Sequence, residues 1–598
     1  MTGSRKEILK RVYLTYLIIL LIGIAIVGKV IYIQVAEGHR LMKKAAQREL
    51  RYFSIEANRG NILSMDGSLM ATSVPIFEIR MDVSSPHISN YFFESNLDSL
   101  AYELSRLFKD RSKYEYRSLL MRARKKGNRY LRVKRKVTYE ELKKLRKFPI
   151  FRRGKYKGGL IIRSKTKREM PYGNLAKRTI GYEIKRENLF VGIEGAYSEF
   201  LKGTEGRQLH RKLSHGDWKP VHNENQIEPE NGKDLVTTID INIQDVAEHA
   251  LYKNLVKHNA TQGCAIVMET ATGYVKAIAN LSYNQETSDY EEVYNYAIAE
   301  KVEPGSTFKL VSMIALLEDG KVGLNDSIDT GDGWAMFYNR TMKDVKKVRD
   351  GKISAREAFE KSSNVGISKL MHGSYKEDPD GFIKHIQALR LDEPLGIEVL
   401  GEAIPFIKTP DNRDSWYGTT LPWMSIGYEI LLTPLQLLTL YNAVANGGKM
   451  VKPLFVKEIQ QSGKTIKTYK PSIRVKKICS ATTLDSIQSL LKGVVERGTG
   501  KSLNNAPYRI AGKTGTAQVA DANRGYDQKI YNASFVGYFP ADAPEYSCIV
   551  VINNPKEGYY YGSSVAIPVF REISDNIYAT TYRLARKMEE PEKHTLPG

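Results

Sequence analysis

Cysteine is scarce in this chain: Cys264, Cys479 and Cys548 are the only three in 598 residues, odd in number and far apart. None stands in a Cys-x-x-Cys or metal-ligand spacing, which excludes a disulfide framework and a zinc site. No metal or nucleotide motif appears, so no cofactor is expected. No internal repeat is visible, which excludes a solenoid or propeller. Acidic residues are short too, with 67 Asp and Glu against 90 Lys and Arg, a formal charge of +23. In a chain of unknown location such a surplus points to nucleic acid. It is densest between Lys109 and Arg168, including Arg122, Arg124, Arg129, Arg132 and Lys134. That run reads first as a solvated face, with anionic lipid headgroups or an acidic partner as the functional alternative.

Near the N-terminus charge disappears altogether. Val12 to Gly28 is an uncharged run of seventeen residues, and beyond Lys29 a second apolar stretch runs from Val30 to Val35. A bilayer core needs about 20 apolar helical residues, so the span is read as 12–35, with Lys29 snorkelling its amine to the interface. Arg5, Lys6, Lys10 and Arg11 precede it against Glu7 alone. By the positive-inside rule residues 1–11 are a cytoplasmic tail and the rest is exported. A cleaved signal peptide is the competing reading, but the run exceeds a usual signal core and no small-x-small site follows. Export excludes chromosomal DNA as a natural ligand.

Three short motifs then stand in order: Ser306-Thr307-Phe308-Lys309, Ser362-Ser363-Asn364 and Lys513-Thr514-Gly515-Thr516. Ser-x-x-Lys alone is weak, since it recurs at Ser164 to Lys167 and Ser489 to Lys492. Only the copy at Ser306 follows a Pro-Gly loop signal and leads into an apolar run, so a buried helix is expected to open near Ser306. A serine there is ordinarily a cap. The other two motifs change the reading, because the set is that of serine acyl transfer. A serine hydroxyl needs a base within reach. Lys309, three residues on, shares its helix face and must be neutral, which burial and a second cation, Lys513, would favour. Ser362 would relay a proton to the departing amine, and the Asn364 amide would bond the substrate backbone. Lys513, Thr514 and Thr516 would face a substrate carboxylate, with Gly515 leaving room for a substrate laid along the strand. The backbone amides of Ser306 and Thr516 would form the oxyanion hole.

With these motifs the chain resembles the class B penicillin-binding proteins, monofunctional peptidoglycan D,D-transpeptidases of bacteria. The resemblance extends to Arg59-Gly60-Asn61-Ile62 with Asp66-Gly67 and Ala71, although Ser64 and Met65 depart from the family pattern there. It includes Gly192-Ile193-Glu194-Gly195 with Tyr197, Leu201, Gly203 and Gly206, and spans about residues 12 to 575. Asn364 within Ser-Ser-Asn-Val-Gly is similar to the division-specific, FtsI-like branch, with the elongation-specific branch as the alternative. The stretch from Trp423 to Tyr428 resembles a further family segment in which Tyr428 is read as core packing. The resemblance implies peptidoglycan stem peptides as substrates and β-lactams as inhibitors. It implies a SEDS-type, FtsW-like glycosyltransferase and other division proteins as partners, and a single-pass location in the bacterial cytoplasmic membrane with the catalytic domain outside. Two rivals share the fold. A β-lactam hydrolase of class A would carry Glu-x-x-Leu-Asn, but Leu324-Asn325 and Leu503-Asn504 follow Lys321 and Gly500. The other rival is a membrane-anchored β-lactam sensor without turnover.

The expected organisation is α+β: a penicillin-binding serine transferase fold, antiparallel sheet with a helical subdomain, behind the membrane helix and an elongated non-catalytic pedestal. The pedestal is placed at 36–230, ending in a linker at Asn223 to Lys233, the transpeptidase domain at 231–580 and a charged tail at 581–598, with no accessory domain expected after it. Leu235 to Ile239, Cys264 to Met268, Tyr274 to Ala279, Ile510 to Val519, Ala533 to Phe539 and Ser547 to Ile552 read as its strands. Ile243 to Val256 and Ile567 to Ala579 read as helices. The Lys-rich stretch Lys343 to Lys347 is read as a solvated loop.

Overall fold

The computed structural model describes residues 3–212, 218–220, 226–347, 351–521 and 525–589. Residues 1–59 with 202–232 form one compact unit, and 60–201 with 233–598 form another.

In the first unit a helix, Gly3–Tyr32, continues through a π turn, Ile33–Glu37, into the helix Gly38–Glu49. The apolar stretch is long enough to cross a membrane and none of it is buried. In water that exposed hydrocarbon would be strongly unfavourable. Lys29 lies with its ammonium 5.0 Å over the Tyr32 ring, a cation–π contact suited to an interface. Leu50–Ile55, Gly206–Lys212 and Trp218–Pro220 make a three-stranded antiparallel sheet. Of the expected linker, residues 223–225 lie outside the described residues. Farther on, Ile227 and Glu230 bridge Arg207 and Thr204 through their backbones, so this part is hydrogen-bonded and not a free connector.

The second unit holds two main sheets. In one, the strands run in the order Lys464–Thr468, Val456–Gln461, Asp234–Thr237, Ile62–Leu63, Leu69–Met81 and Leu131–Val137, with Leu160–Glu169 also paired to Leu69–Met81. The apolar strand expected to open the catalytic sheet therefore sits elsewhere. Asp234–Thr237 pairs parallel with Ile62–Leu63 and antiparallel with Val456–Gln461. An apolar run marks a buried strand but carries no address for its partner. Beside this sheet, Asn90–Phe108 buries Phe93, Leu97, Leu100, Ala101 and Leu104, and the chain breaks at Lys109 in a left-handed turn. Lys113–Lys125 restarts with a capping box between Ser112 and Glu115. The basic run is only partly solvated. Arg124 donates to the carbonyls of Val83 (2.6 Å) and Ile88 (2.8 Å), and Lys134 pairs with Asp110 at 2.8 Å.

The other sheet comprises β1 (Gln262–Glu269), β2 (Val275–Asn284), β3 (Asp289–Glu291), β4 (Ala511–Asp521), β5 (Gly525–Phe539) and β6 (Tyr546–Asn553) in the order β3-β2-β1-β6-β5-β4. Both of its faces are covered, so its central strands read as continuous apolar runs. Alternation divides β1 between two cores: Ala265 and Val267 pack with Leu251, Phe535 and Phe570, while Cys264 and Ile266 pack with Leu310, Ile314 and Leu438. The first core lies under α1 (Ile241–His258) and the closing α6 (Gly562–Glu589). The second joins the sheet to the helical part, α2 (Lys309–Glu318), α3 (Asn364–Tyr375), the wholly buried α4 (Pro434–Ala445) and α5 (Ala481–Glu496). All three cysteines are free and buried. The fold is α+β, with β4 at the sheet edge toward the helical part.

Candidate active site

Ser306 does not open an α-helix. Gly305–Phe308 is a single 3-10 turn, and α2 starts at Lys309. The turn is pinned from three sides. Gly305 N donates to Gly427 O at 3.0 Å, Thr307 Oγ1 to Pro304 O at 2.7 Å, and Tyr441 OH to Thr307 O at 2.8 Å. Gly305 has φ +54, and a Cβ there would lie 2.9 Å from the Ala517 side chain. Only glycine lets the turn press this closely on β4. Ser306 itself stays half-buried between the buried Gly305 and Thr307.

The second motif reaches the same place from α3. Ser363 caps that helix, accepting from Gly366 N, and Ser362 before it takes φ +61. A left-handed conformation at a non-glycine residue costs about 1 to 2 kcal/mol and needs neighbours to hold it. Here they aim the Ser362 hydroxyl at two amines. Lys309 Nζ donates to Ser362 O (2.7 Å), Ser362 Oγ (3.2 Å) and Asn364 Oδ1 (2.8 Å). Lys513 Nζ donates to Ser362 Oγ at 2.8 Å and to Thr514 O at 3.2 Å. Among the described residues the Ser306 hydroxyl has no hydrogen-bond partner, so Lys309 leans toward Ser362 in this state.

Both lysines are fully buried, and two ammonium groups sharing one acceptor cannot both keep their protons. Burial pushes Lys309 down to about 7, against the pull of Asp344. Lys513 is held well below its ordinary value by burial and by the charge of Lys309. The sequence reading pairs a neutral Lys309 with a cationic Lys513; in the structure both amines lie on Ser362 Oγ, and each is held below the ordinary lysine value.

Along β4 the strand period places Lys513 and Gly515 on one face, Thr514 and Thr516 on the other. The Thr514 and Thr499 hydroxyls bond each other at 2.5 Å, and Thr516 Oγ1 accepts from Gly562 N at 3.2 Å. A Cβ at Gly515 would meet Ser534 Oγ at 2.2 Å and Thr307 Cγ2 at 2.9 Å, so the neighbouring strand and the Ser306 turn themselves require glycine here. Tyr428, read as core packing, accepts from Gln518 N at 3.1 Å through its hydroxyl and so binds β4 just beyond Thr516.

One residue of this constellation escaped the sequence reading. Asp344 lies in the stretch read as a solvated lysine loop, yet its carboxylate accepts from Asn364 N, Val365 N and Ser363 Oγ. The surrounding lysines hid it; an acid facing a helix N-terminus is visible only once the loop is placed.

The comparisons with known proteins fit this arrangement. Residues 263–575 match the family described as penicillin binding protein transpeptidase domain, and residues 54–237 match the penicillin-binding protein dimerisation domain. The first match alone covers more than half of the chain. The chain belongs to the class B penicillin-binding proteins. It is 26% identical over 589 residues to a peptidoglycan D,D-transpeptidase FtsI of Buchnera aphidicola subsp. Schizaphis graminum, covering 95% of this chain and 96% of the relative. It is 25% identical to the stage V sporulation protein D of Bacillus subtilis, covering 96% and 86%. Its fold matches the crystal structure of penicillin binding protein 2X from Streptococcus thermophilus with a TM-score of 0.71 at 22% identity, over 88% of this chain and 80% of that one.

Proposed function

We propose that this class B penicillin-binding protein is a serine D,D-transpeptidase that cross-links peptidoglycan stem peptides, and that β-lactams acylate the same serine. The observation that carries the reading is the convergence of Lys309 Nζ, from the turn after the half-buried Ser306, and Lys513 Nζ on Ser362 Oγ. Ser306 Oγ attacks the penultimate D-alanine carbonyl of the donor stem, and its proton passes to the neutral member of the lysine pair. The Ser306 and Thr516 amides hold the developing oxyanion, each worth about 3 to 4 kcal/mol in acyl transfer. Ser362 passes the proton on to the departing terminal D-alanine, and an amine of a neighbouring stem then resolves the ester. Asn364 orients the donor backbone, and Lys513, Thr514 and Thr516 receive its carboxylate, with Gly515 bringing their strand close to the nucleophile.

The N-terminal apolar helix supports a single-pass anchor in the bacterial cytoplasmic membrane, and Arg5, Lys6, Lys10 and Arg11 support a cytoplasmic tail with the catalytic part outside. Asn364 supports a division-specific role, with elongation-specific synthesis as the alternative; relatives of similar identity carry the names peptidoglycan D,D-transpeptidase FtsI and stage V sporulation protein D. In the septal reading an FtsW-like glycosyltransferase and other division proteins are the membrane partners.

The test is labelling with a fluorescent penicillin of wild type and Ser306→Ala, followed by turnover of paired stem peptides. A persistent adduct in wild type alone, with cross-linked product, is expected. Labelling that survives the substitution would place the nucleophile elsewhere. Rapid release would favour a hydrolase, and an adduct without peptide turnover a sensor.

A further inference from the structure

Asp344 stands outside all three motifs, twenty residues before Asn364 and just past the strand Arg340–Lys343, yet it holds the second motif more firmly than any residue within it. Its Oδ1 accepts from Asn364 N at 2.5 Å and Val365 N at 2.9 Å, and its Oδ2 from Ser363 Oγ at 2.8 Å. A carboxylate against the first-turn amides of a helix is favoured by both hydrogen bonding and the macrodipole. The preceding residue reinforces the clamp. Asn364 Nδ2 donates to Lys343 O at 3.1 Å, which leaves Oδ1 to accept from Lys309 Nζ. Ser362, whose φ of +61 is unfavourable, thus sits between a helix start bolted to Asp344 and two amines that need its oxygen in place.

We propose that Asp344 is a positioning residue of the acylation site: it clamps the Ser362–Ser363–Asn364 turn and sets a negative charge against the buried Lys309–Lys513 pair. Lys343 and Lys346 flank Asp344 as exposed cations, Lys347 pairs with Asp332 and Lys361 with Glu357, and the nearby acids are engaged elsewhere. Glu360 pairs with Arg497 at 2.8 Å and Arg356 at 3.8 Å, and Glu303 accepts from Glu429 N at 3.1 Å. Asp344 accordingly opposes the effect of burial on Lys309. Removing its charge should ease deprotonation of the pair, while removing its acceptors should loosen Ser362.

The proposal rests on Ser306 being the acylated nucleophile, and the experiment keeps the two apart. The rate of acylation by a fluorescent penicillin is followed against pH for full-length wild type, Asp344→Asn and Asp344→Glu in detergent, with Ser306→Ala as control. For Asp344→Asn the plateau rate should fall about tenfold. Its acid limb should move about one unit lower in pH. Asp344→Glu should keep the limb and recover part of the rate. If Asp344→Asn fails to fold, Asp344→Ser, which likewise removes the charge, should show the same shifted limb. A wild-type profile overturns the proposal, as does a fall in rate with the limb unmoved or a shift in the limb with the rate unchanged. Labelling of Ser306→Ala would instead defeat the assignment of the nucleophile.

Discussion

Replacing Lys309 by methionine should abolish acylation and, at neutral pH, make the folded protein more stable. The Lys309 side chain is completely buried, and burial lowers its pKa from 10.5 to about 7 while Asp344 pulls the other way. Between those values the unfolded chain carries a proton that the folded chain has released, so wild-type stability rises with pH across this window. At about 1.4 kcal/mol per unit, burying the lysine costs about 4 kcal/mol at pH 7, about 3 at pH 8 and under about 1 at pH 10. Methionine removes this titration at nearly the same shape. It also strips a donor from Ser362 O, Ser362 Oγ and Asn364 Oδ1, a loss of about 2 kcal/mol in sum. The variant should therefore be more stable by about 2 kcal/mol at pH 7, equal near pH 9 and less stable by about 1 at pH 10. Denaturation midpoints of the two full-length proteins in one detergent, measured from pH 7 to 10, give the difference, to which relief of Lys513 from the Lys309 charge adds in the variant's favour at the low end of the range. A difference that does not change with pH would mean that Lys309 keeps an ordinary pKa, and the account of a buried base would be wrong.

Two further outcomes follow from single contacts. Because Ser362 has φ +61, Ser362→Gly should be more stable than Ser362→Ala by about 1 kcal/mol, although both lose the hydroxyl and acylate at least about a hundredfold more slowly; equal stability would remove the argument from strain. Arg168 pairs with Glu194 at 2.9 Å and donates to Gly60 O at 2.7 Å, so Arg168→Ala should destabilise the protein by about 2 kcal/mol in a thermal melt through the loss of these charge-assisted bonds, and an unchanged melt would refute a structural role for them.

Much of this site could be read from residue order, because its pieces are local. Three residues separate Ser306 from Lys309 through a 3-10 turn into α2, and a serine before an apolar run caps α3. Strand alternation put the β1, β5 and β6 runs within a residue or two of their places, except that β5 begins earlier, at Gly525. Two readings stopped short for one kind of reason. Leu235 to Ile239 reads as a strand and largely is one, Asp234–Thr237, but its partners lie in the other sheet; Lys343 to Lys347 reads as solvated and is largely exposed, but Asp344 within it turns to the start of α3. In each case the residue type was right for its local conformation and silent about what it would touch.

Residue order settled the apolar N-terminal helix, the three motifs and the residue types they bring, since hydropathy, capping and helical spacing act over a few residues. The meeting of two buried amines on Ser362, the aim of its hydroxyl and the contacts of Asp344 arise from groups 53, 151 and 20 positions apart in the chain. Their burial and mutual charge exist only after packing has excluded water around them, and that exclusion is a property of the assembled core.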